Sequence, residues 1–195
     1  MAKPPHFSRE QVEVRRQALV EAALESLAAR GLGAVSVRDV AARAGVSPGL
    51  LRHHFGGFSN LLNEAYRQTF ARIDAGFDAA MAAAGADAER RMAAFLEASF
   101  GPAIVDRDLL SAWLGFWGLV RSDAEAAAVH AAGYAGYRAR IEGLLADLAR
   151  ARGVKLDARR AAIGLSAMLD GMWLELCLDP ASFTPAEAVE IAGTW

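Results

Sequence analysis

SVRDVAARAGVSPGLLRHHFGGFSNLL, residues 36–62, carries the start, stop and restart signals of two short helices joined at a glycine. Ser36 is a hydroxyl able to accept from the free N–H groups of the next turn, and Asp39 three residues on supplies an acidic version of the reciprocal cap. Val37, Val40, Ala41 and Ala44 then recur at helical spacing, and small Ala41 lets a second helix cross closely. Gly45 supplies the left-handed residue that ends the first helix, Val46 fills the gap between the two, and Ser47-Pro48 restarts the chain as N-cap and first-turn proline. The second helix is expected to reach about Phe55. Leu51 and Phe55 then face a core, while Pro48, Gly49, Arg52 and His53 face outward. This is the layout of a helix-turn-helix over 36–55, whose second helix meets base edges in the major groove of DNA. The alternative is a plain helical hairpin inside an all-α domain, against which stands the number of coincident signals.

Working outward, Arg9 to Ala29 reads as a helix with Val12, Leu19, Ala23 and Leu27 on one face and Gly31 as its stop. Leu61 to Ala84 carries Leu62, Ala65, Tyr66, Thr69, Phe70, Ile73 and Phe77 at three-to-four spacing. Its start belongs with the helix-turn-helix and its end with the body of the protein. Helices follow over Asp87 to Phe100, Arg107 to Leu119, Asp123 to Arg152 and Asp157 to Leu178. Thr184-Pro185-Ala186-Glu187 is a capping box that opens the last one. No stretch shows sustained period-two alternation with hairpin turns, so the fold class is all-α.

The run A-A-R-A-G-V-S-x-G-L-L-x-H-x-F resembles the helix-turn-helix of the TetR family of bacterial repressors. The resemblance implies an N-terminal three-helix DNA-binding unit followed by a C-terminal helical ligand-binding and dimerisation domain. The expected organisation is a flexible arm at 1–7, a DNA-binding domain at 8–73 and a ligand and dimer domain at 74–195. The candidate DNA-contacting residues are Ser36, Arg38, Ser47, Pro48, Gly49, Leu50, Arg52, His53 and His54. Two positions depart from the family pattern: Arg52 stands where a tyrosine is common, and Phe58 where a lysine is common. The second removes a charge from a position that usually meets the DNA backbone, which weakens non-specific affinity by one counterion-release increment.

Charge distribution fits a DNA binder although the whole chain has a formal net charge of −2. Residues 1–60 hold eight basic and five acidic side chains and the remainder thirteen and eighteen, so the helix-turn-helix end is basic and the body acidic. Lys3-Pro4-Pro5-His6 reads as a disordered arm, with a phosphate or minor-groove contact as the alternative. The single cysteine, Cys177, excludes an intramolecular disulfide and a cysteine-based zinc site and fits a reducing cytoplasm. It reads most simply as a small buried apolar residue. No apolar run approaches the roughly 18–20 residues that span a bilayer, and Met1 to Ser8 lacks the core of a signal peptide. A cytoplasmic protein with no membrane partner is expected.

Leu165, Met168, Leu169, Met172, Trp173, Leu176 and Cys177 form a broad apolar stripe near the chain end. Its cover is either the protein's own core or the same helix of a second subunit. The family resemblance favours the second, making Leu165, Met168, Leu169, Met172, Trp173 and Leu176 candidate interface residues of a homodimer that reads a palindromic operator. Trp113, Phe116 and Trp117 sit at i, i+3 and i+4, and Tyr134 and Tyr137 are neighbours on the next helix. These rings are core or the lining of a pocket. Aromatic faces attract quaternary ammonium groups, and Asp170 or Glu175 is able to complete such a cage, though five residues place the two about 140° apart. The segments SAWLGFWGLVRSD and SAMLDGMWLELCLD resemble the ligand domain of the TetR-family repressors of choline-to-betaine genes. That resemblance implies choline or betaine aldehyde as effector, bound by Trp113, Phe116, Trp117, Tyr134, Tyr137 and Asp170.

His130 has no helical partner for a metal, and adjacent His53 and His54 point to different faces, so no metal site is expected. No cofactor is expected either. The chain carries no G-x-S-x-G, H-E-x-x-H, P-loop or dinucleotide fingerprint, so no enzyme and no catalytic residue is expected. Two alternatives to a choline-type repressor stand: a TetR-like repressor of lipophilic drugs or metabolites, and a helical interaction module without a DNA role.

Overall fold

Each break expected from the sequence ends or starts a helix in the computed structural model, which describes residues 9–194. The helices are α1 (Arg9–Arg30), α2 (Val37–Arg43), α3 (Pro48–Phe55), α4 (Phe58–Ala83), α5 (Ala88–Ser99), α6 (Arg107–Val120), α7 (Ala124–Arg152), α8 (Ala158–Leu178) and α9 (Pro185–Thr194). A short 3-10 turn, Leu32–Ala34, lies between α1 and α2 and has no counterpart in the sequence expectation. Among the described residues there is no strand. The arm expected at 1–7 lies outside the described residues.

Helix ends are set by short polar side chains that satisfy the first free N–H groups. Asp87, Asp106, Asp123 and Asp157 accept from Arg90, Leu109, Ala126 and Arg160 at 2.9, 2.8, 2.8 and 3.1 Å. The Thr184 hydroxyl accepts from Glu187 N–H while the Glu187 carboxylate accepts from Thr184 N–H, which completes the expected capping box. Helix α4 begins three residues earlier than the periodicity indicates. The Asn60 amide donates to the Phe55 carbonyl at 2.8 Å, so the first turn of α4 also caps the end of α3.

The chain divides into two compact units, 1–67 with 111–127 and 68–110 with 128–195. This division departs from the linear boundary at 73 because most of α6 and the first turn of α7 pack with the end of α1 and the first part of α4. In the first unit Phe116, fully buried, stacks on Tyr66 with ring centroids 4.3 Å apart, and Trp113 meets Tyr66 edge-on at 5.3 Å. A Cβ on Gly115 would come 3.1 Å from Leu27 Cδ2, so the absence of a side chain sets how closely α6 approaches the end of α1. Leu19, Leu27, Val40, Leu51 and Leu61 are likewise buried. Asn63 donates to Asp123 at 3.3 Å, and Arg67 is paired with Glu125.

In the second unit Phe77, Phe95, Ile141, Leu165, Leu169 and Leu176 are buried. Arg140 reaches from α7 to Asp74 and Asp78 on α4, each at 3.1 Å, and Arg91 reaches from α5 to Asp147 at 3.4 Å. Helix α8 shows how its apolar stripe is covered. Leu165, Leu169, Trp173 and Leu176 are buried in the single chain, and the Trp173 indole N–H donates to the Ile104 carbonyl at 2.7 Å. These four expected interface residues are therefore core, because the chain itself supplies their apolar neighbours and the polar partner of the indole. Met168 and Met172 are half-buried, and Ile163, Ala167, Gly171 and Leu178 are exposed on α8. Cys177 is buried, as expected.

Among the described residues α8 has the length and mean hydropathy, 1.4, for a membrane crossing, so the expectation that no segment approaches that length was too strict. Asp170 and Glu175 interrupt it, and its buried face lies inside the protein.

Candidate nucleic-acid interface and effector site

The turn between α2 and α3 is built as the residues require. The Ser36 hydroxyl accepts from Asp39 N–H at 3.3 Å and donates to the Asp39 carboxylate. That hydrogen bond and the Arg30 guanidinium 3.1 Å away hold the Asp39 pKa below its ordinary value. At the other end Gly45 has φ +66°, and the N–H groups of Gly45 and Val46 donate to the carbonyls of Ala42 and Ala41 at 3.2 and 2.9 Å. This pair of hydrogen bonds is the pattern of a left-handed helix stop, open to glycine at little cost. Ser47 has the extended backbone of an N-cap, but its exposed hydroxyl makes no capping bond. Pro48 opens α3 as expected.

Helix α3 presents the expected edge. Ser47, Pro48, Gly49, Arg52 and His53 are exposed, with Leu50 half-buried, and Ser36 and Arg38 are exposed at the start of α2. His54 is the exception. It is half-buried, its Nε2 has no solvent contact, and burial, then the charges of His53, Arg16 and Arg15, lowers its pKa. Its inclusion among the outward contacts is corrected: it follows Arg52 and His53 around the helix onto the side facing α1. Arg16 on α1 donates to the His54 carbonyl at 3.0 Å, and its guanidinium lies 4.5 Å from the Phe55 ring centroid. Arg30 and Arg43 are paired with Asp39 and Glu25 at 3.1 and 3.2 Å. Much of the basic excess counted in the sequence therefore braces the unit, and Arg38, Arg52 and His53 are the basic side chains left on the outward edge.

The six expected ligand residues fall into two groups. Trp113, Phe116 and Trp117 belong to the first unit, and Tyr134, Tyr137 and Asp170 to the second. Phe116 has no accessible surface, so it is core rather than a ligand contact, and Trp113 is 7% exposed. Trp117 is half-buried, 6.2 Å from Trp113.

The second group converges. Tyr134 sits 4.5 Å from the His130 ring, 6.1 Å from Phe70 and 6.4 Å from Tyr137, all centroid to centroid. Tyr137 lies 6.0 Å from both Phe77 and Phe95. A Cβ on Gly133 would fall 2.4 Å from Phe70 Cζ, so a bare glycine is what lets that ring lie against α7. Burial raises the pKa of Tyr134 and of Tyr137 well above the ordinary phenol value, and the Asp170 charge adds to both. Burial also pushes Asp170 up to about 6, against the lowering effect of the Tyr134 hydrogen bond and of Arg138. Yet Tyr134, Tyr137 and Asp170 all keep accessible surface. Half-buried and adjoining, these side chains form a cluster of two phenols and one carboxyl within the second unit. Of the two carboxylates considered from sequence, Glu175 is exposed and Asp170 faces the tyrosines. His130 and Arg138 were not anticipated, although 130, 134, 137 and 138 share one helical face by their spacing.

Similarity to known proteins agrees with this anatomy. Residues 19–65 match the tetR family of bacterial regulatory proteins, and the chain belongs to that family. Residues 88–195 match the C-terminal domain of BetI-type transcriptional repressors. The HTH-type transcriptional regulator BetI 2 of Chromohalobacter salexigens is 33% identical over 183 residues, 93% of this chain and 86% of that protein. The BetI regulator of Burkholderia ambifaria is 31% identical over 180 residues, covering 92% and 91%. A transcriptional regulator from Pseudomonas aeruginosa PAO1 superposes with a TM-score of 0.89 at 43% identity, covering 100% of this chain and 94% of that one. A regulator from Saccharomonospora viridis, solved in complex with choline, has the same fold with a TM-score of 0.78 at 23% identity, covering 93% and 95%.

Proposed function

We propose that this TetR-family regulator is a cytoplasmic, dimeric repressor whose affinity for a palindromic operator is lowered by a small quaternary ammonium effector such as choline or betaine aldehyde. The observation that carries the effector is the half-buried cluster of Tyr134, Tyr137 and Asp170, whose ring faces and one carboxylate suit a cation. Family membership and the choline bound by the Saccharomonospora viridis protein support the choice of class. Effector binding acts by preferring the arrangement of the dimer that fits the operator less well. A second reading, a lipophilic effector, is favoured by a cavity of about 240 Å³ elsewhere in the second unit, lined by Met92, Leu96, Leu145, Leu148, Val154 and Leu165 among others. Titration with choline, betaine aldehyde and the uncharged dimethylbutanol isostere separates the two. Equal affinity for the neutral isostere would favour the lipophilic reading.

Arg52→Ala and His53→Ala should each weaken specific operator binding by about 1–3 kcal/mol without loss of folding, because both side chains are exposed. Gel-shift titration on the DNA upstream of the protein's own operon checks this, and wild-type affinity in both variants would remove them from the base-reading edge.

The dimer seam is proposed on the open side of α8, where Ile163, Ala167, Gly171 and Leu178 are exposed beside half-buried Met168 and Met172. Small residues there permit close helix approach. Ala167→Arg places a charge in that seam and should yield monomers that bind the operator poorly. Light scattering that still reports a dimer would place the interface on another face.

A further inference from the structure

Arg138 differs from the other arginines of α7. Arg140 is paired with Asp74 and Asp78, Arg150 with Asp147, and Arg152 with Glu89. Among the described residues no carboxylate comes within ion-pair distance of Arg138. Its guanidinium instead lies 6.0 Å from the centroid of the Tyr134 ring, and its charge is felt by Tyr134, by Asp170 and by His130 one turn and more away. Arg138 and Asp170 are both half-buried. A guanidinium and a carboxylate thus flank one tyrosine without neutralising each other. Asp170 has the Tyr134 hydrogen bond and Arg138 the face of the Tyr134 ring, so each is half-buried without an opposite charge in contact.

A simple cation resolves only half of this. It satisfies Asp170 and the ring faces but meets repulsion from Arg138. A molecule with a trimethylammonium at one end and a carboxylate at the other resolves both, since a planar guanidinium is suited to grip a carboxylate through two parallel N–H bonds. We propose that Arg138 is the anion-recognising group of the effector site, so that the site takes a small zwitterion joining a quaternary ammonium, held by Tyr134, Tyr137 and Asp170, to a carboxylate held by Arg138. This inference rests on the reading of Tyr134, Tyr137 and Asp170 as the effector site. Arg138 is a specificity determinant within that site.

Calorimetric titration of the full-length protein with glycine betaine, choline and dimethylbutanol tests it, using wild type, Arg138→Gln, Arg138→Lys and Asp170→Asn. Wild type should bind glycine betaine about tenfold more tightly than choline. Arg138→Gln should erase that preference, weakening glycine betaine by about tenfold while choline is unchanged or tighter, and Arg138→Lys should restore part of it. A merely structural arginine would shift both probes together. Tighter choline than glycine betaine in wild type, or an equal change for both probes in Arg138→Gln, would overturn the role of Arg138 and leave the cation site standing. No heat from either trimethylammonium probe, or choline binding unaffected by Asp170→Asn, would overturn the effector site itself and the Arg138 assignment with it.

Discussion

Phe116→Ala is expected to cost about 3–5 kcal/mol of folding stability. Phe116 has no exposed surface, and its ring lies at 15° to that of Tyr66, itself fully buried. Truncation leaves a ring-sized void between α6 and α4, which also meet through Trp113, beside the close approach of α6 to α1 at Gly115. Packing at protein density does not relax into such a gap without loss. Urea unfolding followed by tryptophan fluorescence reads the effect, because Trp113 is a neighbour of the void. Were Phe116 instead part of an effector cage, its truncation would alter effector affinity with a stability cost under about 1 kcal/mol, well below that of a core aromatic.

Asp170→Asn should have opposite effects on binding and on stability. The Asp170 pKa, pushed to about 6 by burial, lies above the unfolded value of 3.8. The folded protein therefore holds this proton more tightly than the unfolded chain does, and ionisation of Asp170 opposes folding as pH rises from about 4 through 6. The cost is fully present above the folded pKa and disappears below the unfolded one. Removing the ionisable group should stabilise the effector-free protein by roughly 1–3 kcal/mol at pH 7–8 and by little at pH 4. Tyr134, Tyr137 and Arg138 face this carboxyl, and the Tyr134 hydrogen bond and then the Arg138 charge offset part of its ionisation cost. At the same time choline affinity should fall by about tenfold, since the anion of the cage is lost. For wild type the same affinity should decline as pH is lowered through 6. Unchanged choline binding together with lowered stability would make Asp170 a structural residue.

The helix-turn-helix was legible because its signals are local. A capping serine, a left-handed glycine and a first-turn proline each determine backbone geometry within a few residues, and Ser36, Gly45 and Pro48 did so. Helix ends elsewhere were read nearly to the residue for the same reason, as Asp87, Asp123, Asp157 and Thr184 show. What sequence could not assign was the identity of a buried face's partner. The spacing of Trp113, Phe116 and Trp117 states that one side of α6 is apolar, and it is equally compatible with a pocket and with the Tyr66 stack. Leu165, Leu169 and Trp173 present the same ambiguity, resolved by the chain covering them itself. Periodicity records that water is excluded, without recording what excludes it. Arg16 and Arg138 were missed because an isolated arginine has no pattern. His130 to Arg138 did have one, a shared helical face, which the aromatic pair alone obscured.

The chain passes between its two units three times, within α4, within α6 and near the start of α7. That weave governs how such a gene is open to recombination. A crossover placed at residue 73, the linear boundary expected from the sequence, would sever Tyr66 and Leu27 from the α6 segment that packs on them. The transplanted reading head would arrive with raw apolar surface. An exchange that respects the fold has to carry 111–127 along with 1–67, a discontinuous cassette, so altering single side chains of the second unit disturbs the packing less than swapping whole halves of the protein.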